Sequence, residues 1–348
     1  MNTEQAPRQH VEPSPQSALL EIIGGAWAAR AVAVAAELSL ADALEAGPAG
    51  ATELAARLGV RVEPLRQLLR ALATLEIVAE RSDGTFELLE RGRLLRSGGP
   101  DSLRAWAIWA GSACWAMWGR LDRAVRTGQG ARAAVHGRPG FEHLGSDPEL
   151  AAVFNEAMVS LTALAAPGIV RAVDWSSDRL VADVGGGHGA LLAEALVMNP
   201  GLRGLLFDLP HAMDGARAYL GGRGVLSRCE LHAGDFFSSV PAGATTYLLK
   251  TVLHDWDDAR ACQILRSCRA AMSGSARLLI VERLMPERME AKPLHRALAR
   301  SDLHMLAAHG AGERTEAQFR ALASAAGLAV RSVRSGGGVY SVLEAVGV

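Results

Sequence analysis

From about Val173 to the C-terminus, short apolar runs alternate with stretches of helical spacing, and no other feature restricts the fold as much. Alternation of this kind belongs to a parallel sheet whose crossovers are helices. The candidate strands are LVADV (180–184), GLLFD (204–208), CELHA (229–233), TTYLLK (245–250) and ARLLIVE (276–282). Two more, AVRSVR (329–334) and VYSVLEAV (339–346), are separated by a Gly336-Gly337-Gly338 turn. Too little chain lies between them for a helical crossover, so they must pair as an antiparallel hairpin. The expected fold class is α/β, a Rossmann-like sheet with one reversed strand.

The chain ahead of this region has a different texture. Residues 1–15 are rich in Pro, Gln and Glu and are expected to be disordered. Ala-rich helical segments run from Ser17 to about Ala46, and ATELAARLG reads as a short helix stopped by Gly59. VEPLRQLLRALATLEIV sets Leu65, Leu68, Leu69 and Leu72 at helical spacing. IVAE and TFELLE then flank Ser82-Asp83-Gly84, a hairpin signal. Helices followed by a hairpin form a winged-helix pattern. Its would-be recognition helix carries Arg61, Arg66 and Arg70 against Glu63 and many leucines, not the basic stripe of a phosphate reader. Packing or dimerisation is the expected role. The tract after Gly98 holds Trp106, Trp109, Trp115 and Trp118, which could line a pocket or fill a helical dimer seam. The expected boundaries are a tail at 1–15, a helical winged-helix domain at 16–168 and the sheet domain at 169–348.

A length of 348 residues suits two domains. A net charge of −1 gives no global pull toward nucleic acid or anionic lipid. Cys114, Cys229, Cys262 and Cys268 lack C-x-x-C spacing and read as reduced core thiols. No basic-then-apolar leader opens the chain, and no apolar run of 18 residues is evident. A cytoplasmic protein without membrane or nucleic-acid partners is expected.

Asp183-Val184-Gly185-Gly186-Gly187-His188-Gly189 is an apolar strand entering a glycine-rich turn that opens a helix. Such glycines let backbone approach a ligand, and open α/β sheets bind ligands beyond their strand C-termini. The pattern departs from the dinucleotide fingerprint G-x-G-x-x-G, because Ala190 and Leu191 follow Gly189 without the late glycine. The second strand ends in Asp208, where such folds bind a ribose diol. After the third strand, Asp235 can accept from an adenine amino group, and the adjacent Phe236 can cover the ring. Together these residues make one nucleoside cradle.

DVGGGHG, FDLPH, GDFF, LKTVLHDWDD, VERLMPE and GERTEAQF stand in the order of the motifs of caffeate-type bacterial and plant O-methyltransferases, which the chain resembles. That family uses S-adenosylmethionine to methylate phenols and hydroxyls of polyketides and other natural products. FNEAM (154–158) and the winged helix are similar to its N-terminal dimerisation domain, so a homodimer is implied. The resemblance implies that Asp183, Gly185, Gly187, Asp208, Asp235, Phe236 and Lys250 hold the cofactor. His254 falls on the family's catalytic base, and Glu282 and Glu313 fall on the acids that flank and orient it. Phe154, Asn155, Met158 and Met305 fall near the acceptor, a phenolic or polyketide-like small molecule. His309 and Gly310-Ala311-Gly312 replace bulkier or more polar residues often found before GERT, which leaves the acceptor's shape open.

The chemistry needs such a set. A phenol ionises near pH 10, so a histidine with a pKa of about 6.5 can take its proton as methyl transfer begins. A carboxylate at the other ring nitrogen fixes the tautomer and stabilises the imidazolium. No metal is required. Asp255 is expected to cap or brace the following helix and Trp256 to pack. The alternative is an enzyme of the same fold that binds S-adenosylmethionine but catalyses hydroxylation, decarboxylation or a pericyclic step.

Overall fold

The computed structural model describes residues 14–99, 101–137 and 141–348, in two compact units that divide between Ser97 and Gly98. Residues 1–13 of the expected tail lie outside the described residues. Ser14 and Pro15 start a helix, Pro15–Glu37, with the Ser14 side chain accepting from the Ser17 N–H. That cap explains why the helix begins ahead of Ser17.

In the first unit, helices Ala51–Leu58 and Val62–Thr74 bury Leu54, Leu65, Leu69 and Leu72. Gly59 ends the first of them with φ 67°, a conformation that favours glycine. Strands β1 (Ala49–Gly50), β2 (Val78–Glu80) and β3 (Thr85–Leu88) form an antiparallel sheet in the order β1-β3-β2. Asp83 closes the β2–β3 turn by accepting from the Thr85 N–H and hydroxyl. Arg66 and Arg70 are paired with Glu63 and Glu80, which removes charge that a phosphate reader would present.

The second unit is built on a seven-stranded sheet in the order β6-β5-β4-β7-β8-β10-β9. Its strands are β4 (Leu180–Val184), β5 (Arg203–Asp208), β6 (Cys229–Ala233), β7 (Thr246–Lys250), β8 (Arg277–Glu282), β9 (Leu328–Gly337) and β10 (Tyr340–Gly347). Strands β4 to β8 pair in parallel, and β10 is antiparallel to both β8 and β9. Adjacent residues such as Leu248 and Leu249 are both buried because helices cover both faces. The order reverses between β4 and β7, and that switch point opens a crevice at the strand C-termini.

Three expectations need correction. Gly336 and Gly337 belong to β9 and not to the turn. A Cβ on Gly168, in the helix Pro148–Arg171, would stand 2.5 Å from the Gly336 carbonyl oxygen, so these glycines allow close helix–strand approach. The helices between 104 and 171 group with the sheet, although the texture change placed a boundary at 168/169. Finally, Pro15–Glu37 and Pro148–Arg171 are each long and apolar enough to cross a bilayer, with a hydropathy of 1.5. An unbroken apolar run is a stricter requirement than a window average, which tolerates charges such as Glu21 and Arg30 among alanines.

Candidate active site

Beyond β4, Gly185, Gly187 and Gly189 take φ values of 68°, 58° and 77°, all in the left-handed region. The resulting loop directs the Gly187 N–H to Asp208 Oδ2 at 2.7 Å, and the Leu209 N–H reaches Oδ1 at 2.6 Å. These bonds fix the Asp208 carboxylate at the tip of β5 while lone pairs remain on both oxygens. A Cβ on Gly185 would meet Val252 Cγ2 at 3.0 Å and Phe236 Cε1 at 3.5 Å, so bare backbone forms the floor beside the Phe236 ring. Asp235 is exposed after β6 and accepts from the Phe237 N–H. Asp183 differs from the others. It is buried beneath Gly186, and burial pushes its carboxyl up to about 7 against the pull of Lys250. Lys250, at the end of β7, donates to Thr251 Oγ1 and lies 5.1 Å from the centre of the Tyr340 ring.

Past β7 the chain makes a strained bend. Thr251 has φ 50°, a conformation costly for a β-branched residue, and one helical turn, Leu253–Asp255, follows. Glu282 Oε1, at the end of β8, accepts from the Val252 and Leu253 N–H groups at 3.1 and 2.9 Å and holds that turn. Its other oxygen lies 3.4 Å from His254 Nδ1, and Glu313 Oε1 lies 3.1 Å from the same nitrogen. Glu282 therefore positions the backbone that carries the histidine, and Glu313 holds its ring. Polar atoms of the three side chains fall within 4.8 Å of one another, a closeness that the His254–Glu313 hydrogen bond and the backbone bonds to Glu282 explain.

The two acids are not equivalent. Burial pushes Glu313 up, but His254, Arg283 and the Ser301 hydroxyl overcome it and hold the carboxylate down at about 2. Burial dominates at Glu282 and raises it despite His254. Glu313 is thus the standing anion. Burial lowers the imidazole, yet Glu282, Glu313 and Asp255 outweigh it and raise His254 to about 9. The expectation of an ordinary histidine value fails because three acids surround one ring.

Nδ1 is committed to the acids, so Nε2 is the nitrogen left to a reacting group. On that side Asp255 Oδ1 lies 3.7 Å away and also 3.1 Å from His309 Nε2. Asp255 does not cap the next helix; Asp257 does, accepting from the Arg260 N–H. Trp256 packs as expected, 4.7 Å from Phe237. An aromatic wall continues from Trp256 through Phe141 to Phe154, whose ring meets Trp109 edge-on at 5.0 Å. Met158 packs in the same cluster, and Asn155 and Met305 are buried. Trp118 is half-buried and donates its Nε1 proton to His304 Nδ1, so this part of the tryptophan tract packs within the second unit. Sequence reasoning missed Arg132, Ser301 and Arg283. Only Arg283, directly after Glu282, had a usable signal.

Residues 118–329 match the O-methyltransferase domain model, and residues 20–97 match the O-methyltransferase dimerisation domain. Phenazine O-methyltransferase PhzM of Lysobacter antibioticus is 40% identical over 329 residues, 94% of this chain and 95% of the relative. Aclacinomycin 10-hydroxylase RdmB of Streptomyces purpurascens is 36% identical over 351 residues, covering 97% and 93% of the two chains. The solved structure of an O-methyltransferase from neocarzinostatin biosynthesis, in complex with S-adenosylmethionine and 2-hydroxy-5-methyl naphthoic acid, superposes with a TM-score of 0.81 at 33% identity, covering 97% of this chain and 100% of that one. With both of its parts matched in order, the chain belongs to the S-adenosylmethionine-dependent O-methyltransferase family.

Proposed function

We propose that this enzyme methylates a phenolic hydroxyl of a flat natural product, with His254 as the general base. The observation that carries the reading is the buried imidazole hydrogen-bonded through Nδ1 to Glu313, with Glu282 beside the same nitrogen and neither acid on Nε2. S-adenosylmethionine supplies the electrophilic methyl group on a sulfonium cation. Asp208 holds the ribose diol, Asp235 and Phe236 meet the adenine, and Gly185, Gly187 and Lys250 cradle the amino-acid end. The bare Gly185 floor and the pre-oriented Asp208 carboxylate fit such a ligand. Asp183 supports the loop from below. Phe154, Met158, Asn155 and Met305 lie on the acceptor side. His254 takes the phenol proton at Nε2, Glu313 balances the imidazolium, and fixed positions supply the in-line approach.

Hydroxylation is the second reading, raised by the hydroxylase relative. The paired acids on His254 favour methyl transfer, since they equip it to accept a proton. The separating experiment offers phenolic natural products and methyl-labelled S-adenosylmethionine. A mass gain of about 14 daltons carrying label supports the reading, and a gain of one oxygen without label defeats it. A soluble, cytoplasmic homodimer completes the proposal.

A further inference from the structure

We propose that Arg314 is a positioning residue whose guanidinium fixes the backbone turn that carries His254. The turn Leu253–Asp255 is held from two sides. On its N–H side, Glu282 Oε1 accepts from Val252 and Leu253. On its carbonyl side, Arg314 Nη1 donates to the Leu253 oxygen at 2.8 Å, and Nη2 donates to the Trp256 oxygen at 2.7 Å. These two carbonyls bracket His254 and Asp255. Arg314 Nε donates to a third acceptor, Asp258 Oδ1, at 2.9 Å, at the start of the helix Asp258–Ala271. One planar group thus spans residues 253 to 258. A guanidinium offers its donors in a rigid fork, whereas a lysine ammonium is a single point on a flexible stem. Asp258 is exposed, so its ion pair adds little, and the two carbonyl bonds do the fixing.

Arg314 can serve as a fixed point because it is buried and its own backbone is tied down on every side. Its carbonyl accepts from the Met285 N–H at 3.0 Å, and it forms a parallel bridge with Leu284 just past β8. Before it, the Glu313 N–H donates to Asp302 Oδ1 at 2.9 Å, in the helix Pro293–His309. After it, Thr315 opens the helix Glu316–Ala325 through a capping box with Gln318. Two consecutive residues therefore serve one histidine. Glu313 bonds the ring, and Arg314 bonds the backbone on either side of it. The turn needs such support. Thr251, two residues ahead of it, sits at φ 50°, and strained backbone persists only where its surroundings leave no relaxed alternative. If the turn relaxed, the ring would leave its place against Glu313, and a misplacement of about 1 Å can cost a reaction roughly 100-fold.

This inference rests on His254 being the base, and a double-variant comparison keeps the two ideas apart. Methyl transfer is measured for the full-length Arg314→Met, His254→Ala and doubly substituted enzymes, with a thermal melt and calorimetric S-adenosylhomocysteine affinity for each. Arg314→Met should lower kcat by roughly 10–100-fold while acceptor KM and S-adenosylhomocysteine affinity stay near wild type. In the His254→Ala background the same substitution should remove no further activity, because its route is gone. A general loss of structure would instead lower kcat by the same factor in both backgrounds. Arg314→Lys keeps the charge but not the fork, so it should recover only part of the rate. If Arg314→Met does not fold, Arg314→Lys carries the same comparison. Wild-type kcat in folded Arg314→Met, full recovery in Arg314→Lys, or an equal loss in both backgrounds overturns the proposal. Near wild-type turnover by His254→Ala would remove the base and this inference with it. An impaired His254→Ala beside a fully active Arg314→Met would remove this inference alone.

Discussion

Glu282, Glu313 and Asp255 surround one buried ring and raise His254 to about 9 against the effect of burial, so its titration should govern the pH dependence of the enzyme. A base must be neutral to take a proton, and a raised pKa keeps it protonated to higher pH. The rate should therefore rise with pH, and the acid limb of kcat/KM at limiting cofactor should lie above 6.5 and approach 9. Glu313→Gln removes the standing anion and should move that limb down. A wild-type limb at the ordinary histidine value would contradict this electrostatic account. His254→Ala should lower kcat by roughly 10²–10⁴ with calorimetric affinity for S-adenosylhomocysteine unchanged. Near wild-type turnover, on a phenol known to be neutral at the assay pH, would remove the base assignment. Asp208→Ala should weaken cofactor binding by about 1.5–3 kcal/mol, the scale for a hydrogen bond to a charged group. Unchanged affinity in the folded variant would remove the ribose assignment.

The glycine loop works only if the elements around it leave it room. Gly215, in the helix Met213–Gly222, faces His188 of the loop, and a Cβ there would stand 2.2 Å from the imidazole Nε2. Gly215→Ala must displace the loop or the helix. It should lower Tm and weaken S-adenosylhomocysteine binding together, and His188→Ala in the same chain should restore much of both. Thermal melts and calorimetry on the single and double variants check this, and additive losses would show that the two positions do not meet. The strained Thr251 bend belongs to the same scale, since the Glu282 hydrogen bonds that hold it tie catalytic geometry to the register of β7 and β8.

For the whole molecule, the first unit leaves an apolar stripe uncovered. Ile22 and Trp27 are 76% and 75% exposed, and Leu19, Leu20 and Ile23 stand beside them on the same helix. Residues 20–97 match a dimerisation domain, so a second copy of the chain is the natural cover. An interface beyond about 2,000 Å², the range of obligate homodimers, is expected. Light scattering should report a dimer at micromolar concentration, and Ile22→Glu with Trp27→Glu should shift it toward monomer. A wild-type monomer would leave the stripe unexplained.

The clustering of the proposed cofactor residues was legible in the sequence for a geometric reason. A parallel sheet brings all its strand C-termini to one edge, so reading the strands also placed Gly185, Asp208, Asp235, Lys250, His254 and Glu282 together. Strand alternation and the short link between β9 and β10 likewise determined the sheet and its one reversed strand. The acceptor side was not legible. Arg132 and His309 stand 177 residues apart, and nothing local distinguishes Arg132 from the other arginines of its segment. Their meeting depends on a glycine-to-glycine approach between two helix ends, which linear spacing does not encode. The opposite shifts of Glu282 and Glu313 were equally hidden, because they follow from Arg283 and Ser301 donating hydrogen bonds to Glu313 and not to Glu282. Sequence spacing determined which residues share the sheet edge, and side-chain packing in three dimensions decided which of them hold charge.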